Sequence, residues 1–216
     1  MTLTLYFHPL ASYCWKVLLA LYENDTEFSP KTVDLGNAEE RAALLKLTPL
    51  GKFPVLVDGE RDQVITESSI IIEYLAEHCP GVVELVSQDA ELAREARAQD
   101  RFFDWHVHEH MQKIVGDRLR PEGKKDPHGV EQAKTALEVA YGMIDRRMAT
   151  NTWATGVAYG MADCAASPAL FYANKVVPID EKFPHTAAYL QRLLGRPSMQ
   201  RVLREAEPYM KFFPAG

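Results

Sequence analysis

Three short stretches of this 216-residue chain carry side chains that could do chemistry. The first is Ser12-Tyr13-Cys14, directly after Pro9-Leu10-Ala11. Leu3, Leu5 and Phe7 alternate with Thr4 and Tyr6, the period of a strand; Cys14, Val17, Leu18 and Leu21 fall at i, i+3, i+4 and i+7, the period of a helix. With Pro9 breaking both patterns, a helix opens at Ser12 or Tyr13, and its unpaired N–H groups suit an anion: a phosphate, a carboxylate or a thiolate. The second stretch is Gly51-Lys52-Phe53-Pro54. A proline at a strand start after a glycine loop is a candidate cis-proline that would turn the Phe53 backbone toward an extended ligand; an edge-strand proline without a ligand is the alternative. The third is Thr66-Glu67-Ser68-Ser69. Helix-start N–H groups and Ser68 Oγ would hold a carboxylate while Glu67 holds an amino group, a set that suits an α-amino-acid head group; a plain N-cap is the alternative.

These residues need a scaffold, and the periodicity supplies one. Phe28 to Val33 reads as a strand. Asn37 is an N-cap with Glu40 in the capping-box position, opening a helix that stops before Thr48-Pro49. Phe53–Val57 and Gln63–Ile65 flank Asp58-Gly59 as a hairpin. A helix from Thr66 puts Ile71, Tyr74, Leu75 and His78 on one face and ends at Pro80-Gly81. The order is β-α-β-α-β-β-α over residues 1–81. From residue 87 to 216 no convincing strand appears. Asp89 to Val115 reads as one long helix, Arg120 to Gly129 as a loop, Val130 to Met148 as a second long helix, and Gly160 to Val176 as the most apolar one, with Asp163 at N3. Pro184 and Pro197 suit N1 positions of two further helices. The aromatic end, Tyr209 to Phe213, has no period.

Composition narrows the function classes. A net charge of -6, with no basic run longer than two residues, argues against a nucleic-acid partner. No apolar run reaches the ~20 residues of a membrane span. The N-terminus enters a strand pattern directly, so no signal peptide is expected. Three widely spaced cysteines, Cys14, Cys79 and Cys164, point to a reducing compartment rather than a disulfide framework. Cys14 lies on an apolar helix stripe and reads as a buried thiol. Dithiol exchange needs Cys-x-x-Cys at a helix start, and Ala11 stands where the attacking cysteine would be. His106 and His110 are i, i+4 neighbours, yet no other His or Cys cluster joins them, so an ordinary helix face is the expectation and no metal is assigned.

Together the three stretches, with Ile70-Ile71-Ile72-Glu73-Tyr74-Leu75, the Asp163 helix and Arg196-Pro197-Ser198-Met199, resemble the cytosolic glutathione transferases over the whole chain. The resemblance implies a thioredoxin-like α/β N-terminal domain (1–81) and an all-α C-terminal domain (87–216). It implies glutathione as co-substrate, with its γ-glutamyl end at Glu67 and Ser68, its cysteinyl part at Phe53 beside Pro54, and Lys52 near its glycyl carboxylate. Asp100 resembles the acidic residue some classes present to the partner subunit's glutathione. A small apolar electrophile would sit against Leu10, Trp105, His106, His108 and Met111. The family also implies a cytoplasmic homodimer. In several classes the catalytic Ser or Cys matches Ala11, which has no polar group. Ser12, the nearest hydroxyl, is then the first choice for activating the thiol, with Tyr13 and Tyr6 as alternatives. Conjugation is the leading reaction; a glutathione-dependent isomerase, a peroxidase or reductase, and a non-enzymatic assembly module are rivals on the same fold.

Overall fold

A computed structural model describes residues 2–214. The first half contains β1 (Leu3–Phe7), α1 (Ser12–Glu23), β2 (Ser29–Thr32), α2 (Ala38–Leu47), β3 (Val55–Asp58), β4 (Gln63–Thr66) and α3 (Ser68–His78). The strands form one sheet in the order β2-β1-β3-β4, with β1 parallel to β2 and the other pairs antiparallel. Leu5 sits opposite Leu56, and Val55 opposite Thr66. Leu3, Leu5 and Phe7 face α1 and α3 in the main core, as the alternation requires. The intervening Tyr6 faces the other way, packing with the cluster of Val33, Leu44 and Val55 beneath α2. Asn37 Oδ1 accepts from the N–H groups of Glu39 and Glu40. The expected reciprocal half of that capping box is absent: Glu40 instead accepts from the N–H of Asp34, at 2.7 Å.

The second half is helical: α4 (Ala90–Phe102), a π-helical segment (Phe103–His108), α5 (Glu109–Arg118), α6 (Pro127–Met148), α7 (Met161–Val176), α8 (Pro184–Leu194), α9 (Pro197–Ala206) and a 3₁₀ turn (Glu207–Phe212). Where one long helix was expected, α4 and α5 are joined through the π turn, a local widening common at functional sites. α6 begins at Pro127 rather than Val130 because Asp126 caps it, accepting from the N–H of Gly129 at 2.9 Å. Among the described residues no helix is long and apolar enough to cross a membrane.

The two halves are bound through α1, which packs on α7. Trp15 is fully buried between Phe171 and Tyr172, with ring centroids 5.1 and 5.0 Å away. Its indole N–H donates to Pro9 O at 2.6 Å, and Tyr172 Oη–H donates to Leu10 O at 2.9 Å. The loop before α1 is thereby pinned from both sides. The linker is held as well: Asn24 exchanges two hydrogen bonds with the Val83 backbone, and a Cβ at Gly81 would lie 2.4 Å from the Asn24 side chain. Asp163 at N3 of α7 is fully buried and accepts from the N–H of Ala154, the N–H of Gly160 and the hydroxyl of Tyr189. Burial pushes its carboxyl up to about 6 against the pull of those donors. Asp163→Ala would strand three buried donors, and the loss expected in urea unfolding is about 3 kcal/mol or more; a change below ~1 kcal/mol would contradict this role.

Candidate active site

Between the halves lies an open cleft of about 380 Å³. Its walls come from the start of α1 (Tyr13), the segment before β3 (Lys52, Phe53, Pro54), the start of α3 (Glu67, Ser68, Ser69) and the π turn and α5 (Asp104, Trp105, Glu109). The Phe53–Pro54 peptide is cis. α3 has no side-chain cap, so its first N–H groups are left for solvent or a ligand. Glu67, just ahead of it, has φ 67° and ψ 116°, a conformation that costs a non-glycine residue about 1–3 kcal/mol and that clusters at ligand-contacting positions.

Beneath the cleft a lysine is buried. Lys16 Nζ, 1% exposed, donates to Ser69 Oγ at 3.0 Å and to both oxygens of Asp104 at 2.9 and 2.8 Å. Asp100 Oδ1 lies 2.8 Å from the same ammonium as an ion pair, without the alignment of a hydrogen bond. Ser69 Oγ–H donates to Asp100 Oδ2 at 2.6 Å. One ammonium therefore serves two carboxylates. Burial raises the Asp104 carboxyl to about 6, opposed by Lys16 and reinforced by Asp100. Asp100 is 1% exposed, its Oδ2 taken by Ser69 and its Oδ1 ion-paired with Lys16, and it does not line the cleft.

The two adjacent hydroxyls at the start of α1 diverge. Tyr13 lines the cleft; burial, then the Asp104 and Glu109 carboxylates, raise its phenol well above the ordinary range. Ser12 does not line the cleft. Its Oγ lies 2.5 Å from His108 Nε2 and faces a second, apolar cavity of about 230 Å³. Leu10, Met111, Val115, Tyr172, Phe212 and Phe213 also line that cavity. Phe213 stacks on Tyr172 with centroids 5.4 Å apart, and Arg118 donates to Pro214 O at 3.0 Å, so the segment from Phe212 to Pro214 forms one wall. His108 is buried, which lowers its imidazole to about 4, with the Lys16 charge as the second cause.

The structure thus gathers Tyr13, Lys52, Phe53, Pro54, Glu67 and Ser68 in one cleft, with Trp105 on its rim. Of the residues expected around an electrophile, Leu10 and Met111 line the apolar cavity and His108 sits behind Ser12. His106 lines neither space; it is exposed, its ring 5.4 Å from that of Phe102. Tyr6 lies on the far face of the sheet. Two features escaped the sequence reading. The Lys16 cluster had one signal, a lysine inside the apolar run Cys14 to Leu21, but nothing local pairs it with carboxylates 84 and 88 positions on. His8 had none. Its Nδ1 accepts the Leu10 N–H at 3.2 Å and its ring stacks near Phe53, 6.0 Å between centroids.

Lys16→Met would leave Asp100 and Asp104 buried without their cation. The expected loss is about 3–5 kcal/mol at pH 7. A carboxyl raised in the fold lowers stability as pH climbs from its unfolded toward its folded value. Asp104 at about 6 makes wild-type stability fall up to that pH and then level off. Without the ammonium the Asp104 carboxyl rises further, so the variant's stability should keep falling above pH 6. Urea titrations from pH 5 to 8 check this, and parallel pH profiles would contradict it.

Residues 1–77 match the family described as the glutathione S-transferase N-terminal domain, and residues 104–197 the glutathione S-transferase C-terminal domain. A probable maleylacetoacetate isomerase of Caenorhabditis elegans is 31% identical over 177 residues, covering 79% of this chain and 78% of that protein. FtsZ-localized protein A of Caulobacter vibrioides is 29% identical over 216 residues, covering 95% and 92%. Among solved structures, a glutathione S-transferase from Methylobacillus flagellatus with GSH bound has the same fold, with a TM-score of 0.84 at 24% identity over 93% of this chain and 98% of that one.

Proposed function

Because this chain belongs to the glutathione S-transferase family, we propose that its cleft binds glutathione and delivers the thiolate to a small apolar electrophile. The observation that carries this reading is the meeting, in one cleft, of an uncapped helix start at Ser68, the strained Glu67, the Phe53–Pro54 turn and the first turn of α1. The γ-glutamyl carboxylate is assigned to Ser68 Oγ and the α3 N–H groups, its ammonium to Glu67, the cysteinyl backbone to Phe53, and the glycyl carboxylate to Lys52. The enzyme is proposed to be a cytoplasmic homodimer.

A free thiol has a pKa of ~8.5 and is mostly protonated at neutral pH. The α1 N-terminus and one hydroxyl donor favour its ionised form. We assign that donor to Tyr13, since its ring is on the cleft wall while Ser12 Oγ is engaged by His108 on the other side. Glutathione itself supplies the nucleophile, and the apolar cavity takes the electrophile. The likeness to a protein named a probable maleylacetoacetate isomerase supports a second reading, in which the thiolate adds, a double bond rotates and the thiolate leaves.

Ser68→Ala removes a hydrogen bond to a charged group, and glutathione affinity by calorimetry is expected to drop about 10-fold or more. Tyr13→Phe is expected to raise the bound thiol's pKa by about one unit, read from thiolate absorbance. Absence of binding at millimolar glutathione would overturn the glutathione reading and leave the assembly module. Consumption of glutathione with a chlorinated aromatic supports transfer; its regeneration during cis-enedione isomerisation supports the second reading.

A further inference from the structure

The glutathione reading leaves one constellation unused. Ser12 Oγ and His108 Nε2 are 2.5 Å apart, across 96 residues of sequence and across the junction of the two halves. The other ring nitrogen, Nδ1, is buried and has no hydrogen-bond partner among the described residues. It faces the Glu109 carboxylate, 3.9 Å away. A proton on Nδ1, toward that carboxylate, leaves the Nε2 lone pair to accept the Ser12 hydroxyl proton. The orientation of the imidazole is fixed further by the Tyr13 ring, 4.3 Å between centroids. Ser12 is the first residue of α1, whose N-cap is Ala11 and whose first turn holds no acidic side chain; the Cys14 N–H donates to Ala11 O at 2.9 Å, which leaves the Ser12 and Tyr13 amides for an anion. The apolar cavity opens directly onto Ser12.

We propose that Ser12 is a second, glutathione-independent nucleophile, activated by His108, that takes the acyl group of small apolar esters bound in the cavity of Leu10, Met111, Tyr172 and Phe213. Ser12 Oγ attacks the ester carbonyl as its proton passes to His108 Nε2. The Ser12 and Tyr13 amides at the start of α1 receive the developing oxyanion. The carbonyl–alkoxy bond breaks, and His108 returns the proton to the departing alcohol. Water, its proton taken by His108, then cleaves the acyl-serine to the carboxylic acid and restores the hydroxyl. Atoms balance as ester plus water giving acid plus alcohol, with no redox change. Glu109 acts as a positioning residue, holding the tautomer rather than touching substrate. Burial keeps His108 neutral across the physiological range but also makes it a weak base, so turnover is slow and covalent capture is the sensitive readout.

The test uses the full chain without glutathione. Treatment with diethyl p-nitrophenyl phosphate should release one equivalent of p-nitrophenol and leave a diethylphosphoryl group on Ser12, located by peptide mass mapping. Hydrolysis of p-nitrophenyl butyrate should be abolished by prior labelling. His108→Gln keeps the Ser12 hydroxyl but removes the base, and should slow labelling at least 10-fold while near-ultraviolet circular dichroism stays native. Glu109→Gln should slow it less. A label on Tyr13 or a lysine, a label whose rate ignores His108→Gln, or no label on native wild type would overturn the proposal. Because no glutathione is present, each of these outcomes is independent of whether glutathione binds the neighbouring cleft.

Discussion

A buried ammonium holds the cleft together. Lys16 lies one turn into α1 and contacts α3 through Ser69, α4 through Asp100 and the π turn through Asp104. Those elements, with the segment before β3, are the walls of the proposed glutathione site. Removing an ammonium from water costs several kcal/mol, and only close carboxylates with good geometry offset that cost. The cluster is therefore a constraint as much as a stabiliser: α1, α3 and α4 can approach only in the arrangement that satisfies Lys16. A second set of contacts fixes the loop ahead of α1. Trp15 and Tyr172 hold the carbonyls of Pro9 and Leu10, which aims the first turn of α1 at the boundary between the cleft and the apolar cavity.

That boundary gives adjacent residues different chemistry. Successive side chains on a helix point about 100° apart, so Tyr13 and Ser12 cannot serve the same space. Tyr13 sits beside the cleft among carboxylates; Ser12 sits against a neutral histidine and apolar walls. The π turn contributes to the division, since it carries Asp104 to the cleft side and His108 to the Ser12 side within one segment. Ala11 has no polar group, so the first polar side chains of this turn are those of Ser12 and Tyr13.

Much of the architecture was legible in sequence because its causes are local. Alternation wrote β1, the apolar stripe wrote α1, and Pro184 and Pro197 marked two helix starts. The three stretches were recognisable from glycine, proline and hydroxyl placement, and Tyr13, Lys52 to Pro54 and Thr66 to Ser69 meet in one cleft. What escaped was set by distance or by competition. Glu40 accepts from the Asp34 N–H, while the Asn37 N–H expected to reach it donates to Asp34 O instead. Pro127-His128-Gly129 reads as loop, yet Asp126 caps it into helix. Asp100 pairs with Lys16, 84 positions earlier, a contact no local pattern announces. Spacing put Ser12 ahead of Tyr13 as the nearest hydroxyl to Ala11, and the residue that sets the two apart in space, His108, is 96 positions from Ser12.

The central claim is that this cleft binds glutathione with its sulfur at the start of α1, in ionised form. The direct measurement is the pH titration of glutathione carrying a ¹³C label at the cysteinyl β-carbon, followed by NMR in saturating wild-type protein. The account predicts a titration midpoint at least one unit below the ~8.5 of a free thiol. A midpoint equal to that of free glutathione, in a complex shown to be saturated, would contradict it.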